Sequence, residues 1–193
     1  MVKARGVNSQ PNPLCYGSRH RLLSRKHSNQ MAWTMNHRRT ILFAEDSEDD
    51  RILIRRGFER AGFPFGLQFV GDGVAARDYL RGEERYADRI RYPPPCVLLT
   101  DLKMPKMDGF ELLSWVRSQE AWRRLPIIVV TGSDQPADWQ RAIDLGANSY
   151  VIKELLIRPP PSLFESIIRY AAPGLELESA VSAVRTLPRN RGE

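Results

Sequence analysis

Only two cysteines occur in the 193 residues. Cys15 sits in a polar stretch and Cys96 opens an apolar run, so a disulfide framework is not expected and a reducing cytoplasm is. No apolar run approaches the roughly 20 residues that span a bilayer. No apolar h-region follows the basic start, so a secretory signal is not expected either. The three histidines, His20, His27 and His37, all fall early in the chain and lack metal-site spacing. Acidic residues are missing altogether from positions 1–39, which hold eight Lys or Arg. The formal net charge of +6 therefore belongs to that arm. The remaining residues carry 21 basic and 23 acidic side chains, a net of −2. No fixed-period repeat is present.

What is there is the stretch Val97–Gly109. Three apolar residues in a row, Val97, Leu98 and Leu99, fit a strand covered on both faces. The run ends at Thr100-Asp101, which puts a carboxylate at the carboxyl end of a strand, where open α/β sheets bind their ligands. Pro105 and Gly109 then break the chain ahead of a helical pattern.

In chain order, residues 1–39 have no sustained apolar period and are expected to be a disordered basic arm. Met31 and Met35 within it are alternative starts that would shorten it. Residues 40–172 form one domain, and 173–193 a tail with a short helix expected around 175–185. Thr40–Ala44 is a strand ending in Glu45-Asp46. A helix over about 48–61 is capped by Ser47, presents Ile52, Leu53 and Phe58 to the core, and stops at Gly62. A second strand covers Leu67–Val70, and a short helix ends near Leu80. Residues 82–95 are a charged loop stiffened by Pro93, Pro94 and Pro95. Strand three spans 96–101. Phe110, Leu113 and Val116 mark the next helix, with Asp108 as its cap. Strand four is 126–131. Ser133 or Asp134 caps a helix with Pro136 in its first turn and Trp139, Ala142 and Ile143 facing inward. Strand five is 149–153, and residues 162–171 form a last helix. Glu48, Asp49 and Asp50 are taken as a solvated first helical turn. Five strands alternating with five helices imply an α/β fold, a doubly wound five-stranded parallel sheet between two helical layers.

Four strand ends carry polar groups: Glu45 with Asp46, Asp101, Thr131 and Lys153. In a parallel sheet these share one rim. Three carboxylates repel one another unless a cation intervenes, and hard oxygen ligands suit Mg²⁺. Lys153 adds a compact positive charge. Such a set can carry phosphoryl chemistry, with an ionised aspartate as nucleophile and the cations neutralising the transferring group.

This constellation resembles the receiver domain of bacterial two-component response regulators over residues 40–171, which implies a flavodoxin-like fold. The resemblance implies Asp101 as phosphoacceptor, Glu45 and Asp46 as the acidic pair, the backbone carbonyl of Lys103 as a further metal ligand, Thr131 and Tyr150 as switch residues, and Lys153 as the family's lysine. It implies Mg²⁺ as cofactor and a histidine kinase or phosphotransfer protein as partner. The only chemistry expected is phosphorylation of Asp101 and its loss, so the chain is not expected to be an enzyme in its own right. The loop at 82–95 and Gly146–Tyr150 are similar to single-domain regulators that accompany phytochrome-type kinases. One departure stands out: Glu154 follows Lys153 where the family has proline. That implies a trans bond, a carboxylate competing for Lys153, and faster phosphorylation in Glu154→Pro. Two other readings are weighed. An aspartate-nucleophile phosphohydrolase needs an acid two residues after the nucleophile, where Lys103 stands. A DNA-contacting regulator would have to use the arm, and nucleic acid ranks low. The downstream partner is unnamed, a homodimer stays open, and no membrane contact is expected.

Overall fold

The computed structural model describes residues 39–132 and 135–171. Its elements are β1 (Thr40–Ala44), α1 (Glu48–Arg60), β2 (Gly66–Val70), α2 (Gly73–Arg81), a 3₁₀ turn (Glu84–Tyr86), β3 (Val97–Thr100), α3 (Gly109–Ser118), β4 (Ile127–Thr131), α4 (Pro136–Asp144), β5 (Ser149–Ile152), α5 (Glu154–Ile157) and α6 (Pro161–Ala171). The five strands form one parallel sheet in the order β2-β1-β3-β4-β5. That is the expected flavodoxin-like, doubly wound arrangement, with β3 central.

Alternate residues of each strand serve the two faces, and both faces of the inner strands are covered, so β1, β3 and β4 are buried along their whole length. Ile41, Phe43, Val97, Leu99, Ile128 and Val130 pack beneath Ile54 and Phe58 of α1 and Phe164, Ile167 and Ile168 of α6. Leu42, Leu98 and Ile127 pack beneath Leu80 of α2 and Leu112, Leu113 and Val116 of α3. A smaller cluster joins Val129, Leu102 and Phe110 to Ala142 of α4.

Several local expectations need correction. The buried positions of α1 are Ile54, Gly57 and Phe58, while Ile52 and Leu53 are 43% and 40% exposed. Positions 54, 57 and 58 follow the i, i+3, i+4 stripe, and 52 and 53 fall off it. Likewise α4 meets the core through Ala142 alone, leaving Trp139 and Ile143 49% and 38% exposed. The cap position of α4 is Gln135, whose side chain makes no capping hydrogen bond, and Pro136 opens the helix as expected. Ser133 and Asp134 lie outside the described residues, as do the arm through residue 38 and everything after Ala171.

The sheet is followed by one helix more than expected, because Glu154–Ile157 is helical rather than loop. It packs on α1 at Gly57, where a Cβ would collide with the Leu156 carbonyl oxygen and come within 2.9 Å of that of Ile157. The charged loop is also more ordered than its composition implies. Tyr79, Tyr86 and Tyr92 pack on one another, Tyr92 edge-on to the other two, with ring centroids 5.1 to 6.0 Å apart. Arg89 donates to the carbonyls of Tyr79 and Leu80 at the end of α2, at 2.8 Å each.

Candidate functional site

The carboxyl ends of β1, β3, β4 and β5 converge, because parallel strands in register finish at one rim. Backbone bonds fix each end. Glu45 N–H donates to Val70 O, Asp101 N–H to Ala44 O and Lys153 N–H to Thr131 O, all at 2.9 Å. Thus Glu45, Asp101, Thr131 and Lys153, spread over more than a hundred residues of chain, are neighbours.

Lys153 is the hub. Its Nζ donates to Asp101 Oδ2 at 2.7 Å, to Asp50 Oδ2 at 3.0 Å and to Glu45 Oε1 at 3.2 Å. Burial alone would lower its pKa, but bonds to Asp101, Glu45 and Asp50 hold it well above the usual lysine range. Its own bond to the next residue is trans, since no described peptide bond is cis. Lys153 takes α-helical dihedrals, φ −57° and ψ −37°, and leads directly into α5. Glu154 is exposed there, and the ion pairs of Lys153 go to Glu45, Asp50 and Asp101 instead. The competing carboxylate expected at Glu154 is therefore Asp50, which the sequence reading had left in solvent. The signal was available: Asp50 is in the first turn of a helix that starts at the same rim.

Asp101 is 6% exposed. Its Oδ1 accepts from the backbone N–H groups of Leu102 at 2.6 Å and Lys103 at 3.3 Å. Those bonds and Lys153 aim the carboxylate across the rim. The chain then folds back: Gly109 N–H donates to Leu102 O at 2.9 Å. A Cβ at Gly109 would collide with the Asp101 carbonyl oxygen, so only glycine permits this return. The loop is pinned at its far side as well. Lys106, with φ +66°, places Nζ 2.6 Å from Asp72 Oδ2, and Gly73 N–H donates to Met107 O at 3.2 Å. Asp108 caps α3 in a reciprocal capping box with Glu111, as expected.

Glu45 is fully buried, and burial raises its pKa against the opposing pull of Lys153. Its Oε2 lies 2.9 Å from Lys153 Nζ yet makes no aligned hydrogen bond. An ion pair without directional bonding leaves that oxygen with capacity for a cation. Oxygens of Glu45, Asp46 and Asp101 all lie within 4.8 Å of one another, with Asp46 exposed to solvent. Three carboxylate oxygens this close fit a hard divalent ion such as Mg²⁺. Lys103 has an exposed side chain and its backbone runs beside Asp101. Thr131 is buried at the end of β4, and half-buried Tyr150 packs on the cluster of Val129, Phe110 and Ala142.

Comparison with known proteins extends this picture. The model of the response regulator receiver domain matches residues 41–159. The probable methanogenesis regulatory protein FilR2 of Methanothrix harundinacea is 38% identical over 130 residues, covering 67% of this chain and 81% of that protein. Among solved structures, the response regulator RPA3017 in red light signaling of R. palustris aligns with a TM-score of 0.61 at 30% identity, covering 68% of this chain and 92% of that one. The phosphorylated cyanobacterial phytochrome response regulator RcpA aligns with a TM-score of 0.58 at 29% identity, covering 69% and 93%. A sheet of this order, with that match spanning β1 to α5, makes the chain a member of the response regulator receiver family.

Proposed function

We propose that this chain is a phosphorylation-switched binding module whose acceptor is Asp101. The observation that carries the reading is the placement of Asp101: a shielded carboxylate at the end of the central strand, 2.7 Å from Lys153 Nζ. Receiver domains bind Mg²⁺ at an acidic site, and here Glu45, Asp46, Asp101 and the backbone carbonyl of Lys103 would hold it. Bound there, the ion supplies charge neutralisation for a transferring phosphoryl group.

An Asp101 carboxylate oxygen attacks phosphorus of a phosphohistidine. The O–P bond forms as the P–N bond breaks, and the electron pair leaves with the imidazole. The Leu102 and Lys103 N–H groups hold the non-attacking oxygen, and Lys153 can turn to a phosphoryl oxygen. The Thr131 hydroxyl then bonds the added group and Tyr150 repacks, which changes the surface of α4 and β5. Half-exposed Trp139 and Ile143 on α4 support that surface as the output.

The donor is a sensor histidine kinase or a phosphotransfer protein, and the likeness to red-light and phytochrome regulators supports a kinase of that type. Among the described residues no helix is long and apolar enough to cross a membrane, which suits the proposed cytoplasmic setting. The domain is taken as residues 40–172, with the basic arm before it and the tail after. The phosphohydrolase reading is disfavoured by exposed Lys103, an ammonium where that chemistry needs an acid. The test is labelling by acetyl phosphate with Mg²⁺. Asp101→Asn should abolish incorporation, and labelling equal to the parent would overturn the assignment.

A further inference from the structure

We propose that Asp50 is a positioning residue that aims Lys153 at the phosphoryl group, doing with an ion pair what a backbone constraint after Lys153 would otherwise do. The inference rests on the reading of Asp101 as acceptor.

A lysine ammonium ends four rotatable bonds, so its direction is set by what it touches. Three carboxylates touch Lys153: Glu45, Asp50 and Asp101. Two of them, Glu45 and Asp101, belong to the group of oxygens that fits a cation, and Asp50 does not. Once a cation and a phosphoryl group engage Glu45 and Asp101, Asp50 is the carboxylate still able to hold the ammonium. Three N–H donors suffice for this: one to Asp50, leaving two for the phosphoryl oxygens.

Asp50 is itself held. Its N–H donates to Ser47 Oγ at 3.2 Å in the cap of α1, so its backbone is fixed relative to the rim. The main chain of Lys153 is held by its N–H on Thr131 O and by its carbonyl accepting from Leu156 N–H, each at 2.9 Å, which leaves the direction of the ammonium to its carboxylate partners. The residue that follows is Glu154, exposed and unconstrained in ring terms. Helix α5, which grows from Lys153, is seated on Gly57 of the helix that carries Asp50. Asp50 and Lys153 are therefore carried by two elements packed against each other at Gly57.

The experiment measures initial labelling rates from acetyl phosphate at saturating Mg²⁺ in the full chain. It compares the parent, Asp50→Ala, Asp50→Asn, Lys153→Ala and the double variant Asp50→Ala/Lys153→Ala, with Mg²⁺ midpoints taken from melting curves. Asp50→Ala should slow labelling about tenfold, the scale of one hydrogen bond to a charged group. The Mg²⁺ midpoint should move no more than about twofold, because the lost charge is partly solvent-screened. Asp50→Asn keeps an acceptor oxygen and should recover most of the rate. In the Lys153→Ala background, Asp50→Ala should add nothing. A parent-like or faster rate in Asp50→Ala would overturn the inference, as would an equal further loss without Lys153. If Asp101→Asn labels like the parent, the acceptor reading falls and this one with it. If Asp101→Asn is silent and Asp50→Ala is normal, only the positioning role falls.

Discussion

Asp72 shows how much one side chain can hold. Its Oδ1 accepts the Ala75 N–H at 2.7 Å as the cap of α2, while its Oδ2 pairs with Lys106 from the loop beyond Asp101. Burial would raise its pKa, but the Lys106 and Ala75 bonds outweigh that and leave it below the ordinary 3.8 of an aspartate. A carboxylate depressed in the folded state contributes stability that is present above its unfolded pKa and lost as pH falls through the folded one. Asp72→Ala should therefore cost about 1 kcal/mol at pH 7, the usual worth of a cap. The gap to the parent should close as pH is lowered below 3.8. Urea unfolding at both pH values reads this directly, and a gap independent of pH would refute the ionic part. Most strand-end residues were legible as single letters, because an apolar run that stops at an acid or a lysine has few other meanings. Asp50 was harder to read, since an acidic first turn usually serves only the helix dipole. Its second role depends on a lysine 103 positions away in the chain.

At the scale of elements, α5 is the feature that sequence pattern did not reveal. Four residues are too short to display a helical period, and Glu-Leu-Leu-Ile looks the same in a loop. The five strands, by contrast, were each visible, with ends shifted by a residue or so. Periodicity also misassigned the faces of α1 and α4. Neither Ile52 nor Trp139 is inside: Ile52 falls off the stripe of Ile54, Gly57 and Phe58, and α4 buries only Ala142. The geometry at Lys153 reverses the expectation for Glu154→Pro. A residue before proline is driven out of the α region that Lys153 occupies. The substitution should unseat α5, lower the melting temperature and slow labelling. Gly57→Ala tests the same seat from the other side. Its Cβ would meet backbone oxygens of Leu156 and Ile157, which cannot rotate away. A loss of about 2 kcal/mol or more is expected in denaturant unfolding, as for an overpacked core.

For the whole molecule, the rim is a concentration of negative charge offset by one ammonium. Cation binding should therefore act as a global stabiliser. Mg²⁺ at a hundred times its dissociation constant should add about 2.7 kcal/mol to unfolding. Asp46→Ala should remove most of that gain while barely altering the metal-free protein, because Asp46 is exposed. Calorimetry with and without chelator distinguishes the two. Trimming to residues 39–171 should leave the melting temperature near that of the full chain, since the paired sheet and both helical layers lie within that span. A large drop would mean that the arm or the tail contributes to the core.

The strand order has a consequence for the chain as it is being made. Synthesis runs from β1 to β5, so the carboxylates of β1 and β3 can meet as soon as those two strands pair. Their counter-charge, Lys153, comes from the end of the last strand, which can only dock on β4. Until then that edge lacks the ammonium that pairs with Glu45, Asp50 and Asp101 in the folded chain. The arrival of the last strand closes the sheet and discharges that edge in one event. A nascent chain halted before Lys153 is thus doubly unfinished, lacking both its outer strand and the internal counterion of its rim.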